Sequence, residues 1–137
     1  MTASFILDLR LAADTHPLAR FELCDVRLMD DSHYPWLILV PRLPGLRDLI
    51  DLDVRERHLL SDEIDRASKV LRNAFRPDKL NVAALGNVVA QLHVHVIARF
   101  EEDPGWPAPV WGRVERNPYS PETLIDRVTL LQEMMVA

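Results

Sequence analysis

The sequence predicts a mixed α+β fold: an antiparallel sheet carrying one long helix, with shorter helices at its periphery. Three observations predict it. Residues 35–40, Pro-Trp-Leu-Ile-Leu-Val, make a continuous apolar run of strand length, as expected of a central strand covered on both faces. Leu60, Ile64, Ala67, Leu71 and Phe75 recur at helical spacing and define one apolar stripe. Two strand-like runs, 80–84 and 88–100, flank the tight-turn tripeptide Leu85-Gly86-Asn87 and read as a β-hairpin.

The remaining elements follow in order. Phe5, Leu9 and Ala12, with Ile6 and Ala13 alongside, fit a short amphipathic helix over residues 5–15. His16-Pro17 ends it, because proline disfavours helical geometry in the residue before it. Residues 21–29 predict a strand whose apolar parity shifts between Leu23 and Val26, which a bulge or bend near Cys24-Asp25 explains. Asp30-Asp31-Ser32-His33 reads as a turn. Pro41 and Pro44-Gly45 close the central strand. Asp53 and Glu56 form a capping pair for the long helix, which Arg76-Pro77 stops. Glu101 to Gly112 is too rich in proline for regular structure. Ser120 then caps a last helix, with Pro121 in its first turn, that runs to Met135. Without a repeat or a low-complexity tract, the 137 residues are expected to fold as one domain, 1–137.

Charge and cysteine usage exclude several functions. A net charge of -5 offers no basic footprint for nucleic acid or an anionic membrane. Any anion must be held locally, by a few placed donors. Cys24 is the only cysteine, which excludes an internal disulfide or a thiolate metal cluster. The opening residues place Asp8, Arg10 and Asp14 within their apolar pattern and lack the form of a leader or a bilayer span, so a cytoplasmic location is expected.

The most informative stretch is Gln91-Leu92-His93-Val94-His95-Val96-Ile97-Ala98-Arg99. Side chains of a strand alternate faces, so Gln91, His93 and His95 share one face, about 7 Å apart along the strand, while Leu92, Val94 and Val96 fix the other to the core. A row of imidazoles can bind a metal if a third ligand, such as Glu101, completes the site. The all-β jelly rolls that carry such sites conflict with the long helix. Alternatively, a neutral imidazole attacks phosphorus to form a phosphoramidate that water cleaves. A protonated neighbour would then hold phosphate oxygens or supply a proton.

These residues resemble the signature of the histidine triad (HIT) family, His-φ-His-φ-His-φ-φ with φ apolar. Two of its three histidines and all four apolar positions match, with Gln91 in place of the first histidine. The strand ending Pro-Trp-Leu-Ile-Leu-Val-Pro-Arg, the helix after it, Gly86-Asn87 and Arg99 follow in the family's order, so the likeness runs from about Phe21 to Trp111. The resemblance implies a homodimer with a continuous sheet and a nucleotide cleft against the triad strand. It implies a hydrolase or nucleotidyl transferase acting at the α-phosphorus of a dinucleoside polyphosphate or phosphoramidate. His93 would be the nucleophile, Gln91 would orient it, and His95 and Asn87, beside Gly86, would contact the phosphate. Asp30 or Asp31 would hold the ribose hydroxyls. No cofactor is required, although a divalent cation can accompany a polyphosphate. Because glutamine cannot carry charge, and Trp36 or Leu37 stands where many members have a further histidine, a nucleotide binder or sensor with little catalysis is the alternative. The His-x-His metalloprotein is a third.

Arg99 and Arg42 are candidate phosphate contacts, or simply surface arginines. Trp36 is expected in the core, whereas Trp106 and Trp111 lie in a stiff segment able to close over a site or cross an interface. His16 and His58 read as surface residues, and Cys24 as a small buried group.

Overall fold

The computed structural model describes residues 4–136, and along them the chain runs α1 (Leu9–Asp14), β1 (Thr15–Arg20), β2 (Cys24–Met29), β3 (Trp36–Pro41), a 3-10 turn (Leu49–Asp51), α2 (Val54–Phe75), β4 (Lys79–Ala83), β5 (Val94–Arg99) and α3 (Pro121–Val136). The five strands lie in the order β1-β2-β3-β5-β4, each antiparallel to its neighbours. The fold is α+β, as the sequence predicts. No helix among the described residues is long and apolar enough to cross a membrane.

The two faces of β3 explain its unbroken apolar run. Leu37 and Leu39, with Val94, Val96 and Ala98 of β5, join Leu60, Ala67, Val70 and Leu71 of α2 and Leu131 and Met135 of α3 in the main core. Trp36, Ile38 and Val40, with Ile97, pack on the opposite face against Leu11, Tyr34 and Val110. Among the described residues, that second face is covered by the short α1, the N-terminal segment and irregular chain. Polar groups can reach the sheet there.

The long helix starts as predicted: Asp53 accepts from the Glu56 amide and Glu56 from the Asp53 amide, each at 2.8 Å. Arg76 closes it in the left-handed region, at φ 49°. Ser120 Oγ accepts from the Thr123 amide at 3.2 Å and caps α3.

Three boundaries differ from expectation. The N-terminal helix covers only Leu9–Asp14, and His16-Pro17, expected to end it, lies inside β1, which starts directly after it. β1 is an edge strand, where a residue without an N–H is tolerated, and its register shifts between Pro17 and Ala19. The expected strand over 21–29 starts only at Cys24. Phe21 donates to the Cys24 carbonyl at 2.8 Å, so the parity shift marks the expected bend, just ahead of Cys24, and not a bulge. Finally, β4 and β5 pair, but residues 84–93 form an irregular connection where a tight turn was expected, with Gly86 at φ 81°. His93 therefore precedes the strand.

Candidate active site

Two histidines with complementary ring nitrogens stand where this connection enters β5. His93 Nδ1 lies 2.7 Å from the main-chain oxygen of Gln91. A carbonyl only accepts, so Nδ1 carries the hydrogen and Nε2 keeps its lone pair. His95 is set the other way. The Trp36 indole, which can only donate, reaches His95 Nδ1 at 3.0 Å, so the hydrogen of His95 sits on Nε2. The two rings stand edge to face, 5.0 Å between centroids. One histidine presents a nucleophilic lone pair and its neighbour an N–H donor. Burial, and next the electrostatic influence of the neighbouring His93 ring, lower the His95 pKa to about 3. His95 is therefore neutral in the free protein near neutral pH, which corrects the expectation of a protonated neighbour.

Both histidines open on a cleft of roughly 330 Å³. Leu11, Met29, Ile38, Val89 and Trp111 supply its apolar lining, while Arg10, Asp14 and Asn87 supply polar groups. Gly86 and Asn87 line it as well. Trp111, from the proline-rich segment, stands 4.9 Å from the His95 ring, and Trp36 backs the same ring at 5.6 Å. A second recess of roughly 340 Å³ lies beyond Gly86, lined by Arg47, Leu49, Ile50, Leu92 and again His93. His93 thus borders both spaces.

Other expected site residues are engaged elsewhere. Arg99 is 1% exposed, bound by Asp103 through Nε and Nη2 at 2.8 and 3.0 Å and by Asn81 through Nη1 at 2.9 Å. Its guanidinium organises the start of the proline-rich segment instead of facing a phosphate. Although burial opposes it, the Arg99 guanidinium holds the Asp103 carboxyl below the usual range. Arg42 donates to the Phe21 and Glu22 carbonyls at 2.6 and 2.8 Å and pairs with Asp25 at 3.2 Å, tying down the β1–β2 turn.

Asp30 and Asp31 hold the chain ahead of α3. Asp30 accepts from the Tyr119 amide at 3.0 Å and lies 3.1 Å from His16. These partners outweigh burial and hold its carboxyl below the ordinary range. Asp31 is buried and accepts from the His33 and Asn117 amides at 3.0 and 3.3 Å. Neither lines the cleft. His16, read as a surface residue, is half-buried in β1 through this pairing. Gln91 turns its amide toward the N-terminal segment, donating to the Ile6 carbonyl and accepting from the Asp8 amide, both at 2.8 Å. Its contribution to the nucleophile comes from the main chain.

Arg10, Asp14 and Met29 were not anticipated in the cleft. The pair Arg10 and Asp14, one helical turn apart on α1 and 3.8 Å from each other, was the available signal. Glu101, the suggested third metal ligand, is exposed beyond β5. Among the described residues no three His, Cys, Asp or Glu side chains gather as a metal site.

A helix-backed antiparallel sheet with a carbonyl-held imidazole on its open face defines the histidine triad class. The HIT domain model matches residues 10–102, and the chain belongs to the HIT family. A histidine triad protein from Marinobacter aquaeolei VT8 is 45% identical, with 98% of each chain covered and a TM-score of 0.95. Another from Bradyrhizobium japonicum is 40% identical over 97% of this chain and 99% of that one, with a TM-score of 0.94. At 17% identity, over 98% of this chain and 84% of the other, the diadenosine triphosphate hydrolase of Plasmodium falciparum shares the fold, with a TM-score of 0.61. No curated protein matches.

Proposed function

We propose that this protein is a nucleotide hydrolase or nucleotidyl transferase that works through a covalent nucleotidyl-histidine. The observation that carries the reading is the 2.7 Å contact between His93 Nδ1 and the Gln91 carbonyl, which leaves Nε2 free to attack and stabilises the positive ring that attack creates. Likeness of fold to a protein described as a diadenosine triphosphate hydrolase supports nucleotides as the substrate class.

The nucleoside occupies the apolar cleft beside Leu11, Ile38 and Trp111. The His95 Nε2–H and the Asn87 amide donate to oxygens of the α-phosphoryl group. His93 Nε2 bonds to phosphorus as the bond to the departing group breaks and its electron pair leaves with that group. Water, or an acceptor hydroxyl, then attacks the same phosphorus and loses a proton, and the P–N bond cleaves to restore neutral His93. His95, neutral and held by Trp36, contributes a hydrogen bond and not a proton. This favours a departing phosphate chain, stable as an anion, over an amine that must be protonated. Dinucleoside polyphosphates therefore fit better than phosphoramidates. The second recess bordering His93 gives the departing group room, and a divalent ion can travel with such a substrate.

Incubating the protein briefly with diadenosine polyphosphates, followed by acid-free intact-mass and peptide mass spectrometry, should reveal one nucleotidyl group on His93. Turnover without that adduct under rapid quench, or an adduct on another residue, would remove the mechanism. Saturable nucleotide binding with neither product nor adduct would favour the sensor reading.

A homodimer belongs to the same proposal. Among the described residues β4 pairs with β5 alone, so its outer edge is open, and Val82 on that strand is exposed. A second copy adding its own edge there would extend the sheet across the two subunits. Sedimentation should report twice the 15.7 kDa chain mass; a monomer at micromolar concentration would exclude it.

A further inference from the structure

We infer that Gln91 is a positioning residue whose side-chain amide clamps the N-terminal segment and thereby sets one wall of the substrate cleft. Its two bonds, to the Ile6 carbonyl and the Asp8 amide, engage both polar groups on one edge of an extended stretch, much as a neighbouring strand would. Asp8 then starts α1: its carboxylate accepts from the Arg10 amide at 2.8 Å and its carbonyl from the Ala12 amide at 2.9 Å. The clamp therefore fixes where α1 begins and which residues it turns toward the cleft. Those residues are Arg10, Leu11 and Asp14.

A helix of six residues has little stability of its own, so its position depends on such ties. Leu11 is buried against the second core, with Phe5 and Leu7 alongside. At the far end the Asp30 amide donates to the Asp14 carbonyl at 3.0 Å, and Arg116 meets the Asp14 carboxylate at 3.2 Å. Gln91 supplies the near-end tie, and it does so from the connection that carries the nucleophile.

The residue thus has two separable roles. Its main-chain oxygen receives His93 Nδ1–H, which any side chain at position 91 can preserve. Its amide places α1 and brings Arg10, the cation of that wall, to the anionic substrate. Replacing the side chain should consequently act on substrate binding more than on the chemical step. This rests on the reading of the cleft as the nucleotide site.

Hydrogen exchange and kinetics on the full chain test it together. In Gln91→Ala the amides of Asp8 and Ala12 should exchange at least about tenfold faster, given the modest net worth of each lost bond. KM should rise about five- to tenfold, with kcat within a factor of about two. Gln91→Glu, which keeps the acceptor for Asp8 and loses the donor to Ile6, should fall between. Adding Arg10→Ala to Gln91→Ala should raise KM less than the two single effects combined, because both act through one wall. Unchanged exchange in Gln91→Ala would remove the clamp. Faster exchange with unaltered KM would remove its role in binding, and a fall in kcat alone would return Gln91 to the reacting centre. Wild-type protein inert toward nucleotides would overturn the assigned function, while the exchange arm would still decide the clamp.

Discussion

Alanine at position 93 is expected to reduce kcat for diadenosine polyphosphate hydrolysis by about 10⁴-fold or more, the scale on which a covalent route collapses when its nucleophile is deleted. His93 is the ring in this structure whose free nitrogen has been defined by a bond on the other side, so no neighbour can take over its role without repositioning. His95 cannot substitute, because its Nδ1 is occupied by Trp36 and its Nε2 carries hydrogen. Binding should change little, since the cleft's apolar lining comes from Leu11, Met29, Ile38, Val89 and Trp111. The His95→Ala variant should lose less, about 10²- to 10³-fold, which is what one donor to a developing oxyanion is worth. Quenched-product assays beside nucleotide titrations check both. Turnover of the His93→Ala protein within a hundredfold of wild type would eliminate the covalent step, whatever the binding data showed.

The contrast between these two histidines was only half legible in the sequence. Alternation along the strand correctly placed 93 and 95 on one face and Leu92, Val94 and Val96 on the other, because a buried face enforces the period. It could not reveal the opposite tautomers, which depend on a carbonyl two residues back and on an indole from a different strand. The same division runs through the fold. β3 and α2 were read correctly because apolar periodicity and capping are local signals. β1 is not legible in the sequence because Pro17 signals a break, and its edge position is what makes the proline harmless. The hairpin strand is shorter than the sequence suggests: Val88 and Val89 favour strands, yet Val88 is 73% exposed at the cleft. Asp30, Asp31 and Arg99 have the residue types that bind ribose and phosphate, but their side chains are otherwise engaged. Their side chains hold the C-terminal half of the chain because Tyr119, Asn117 and Asp103 return to them from far along the sequence or across a turn. Partners as distant as Tyr119 and Asn117 leave no local pattern, whereas Asp103 stands only four residues after Arg99.

Glu63 shows the same limit and provides the largest expected effect on stability. It occupies a buried position on α2, 5% exposed, where helical periodicity calls for an apolar side chain. Its two carboxylate oxygens accept from the consecutive amides of Leu23 and Cys24, at 2.8 and 2.9 Å. These donors lie where β2 leaves the β1–β2 turn, a place the sheet ladder does not serve. Cys24 is fully buried, and burial, followed by the nearby Glu63 charge, pushes its thiol pKa up, so that it remains protonated and inert. Glu63→Ala would strand two buried N–H groups, each costing about 1–3 kcal/mol, and would recover part of that by removing a desolvated charge. A net loss of about 3 kcal/mol follows, which should lower the urea midpoint by about 1–2 M at an ordinary m-value. Glu63→Gln keeps one acceptor and turns an N–H₂ group toward the other amide, so it should lose roughly half as much. A Glu63→Ala protein within about 0.5 kcal/mol of wild type would mean the two amides find other partners, and that the helix-to-strand tie is dispensable.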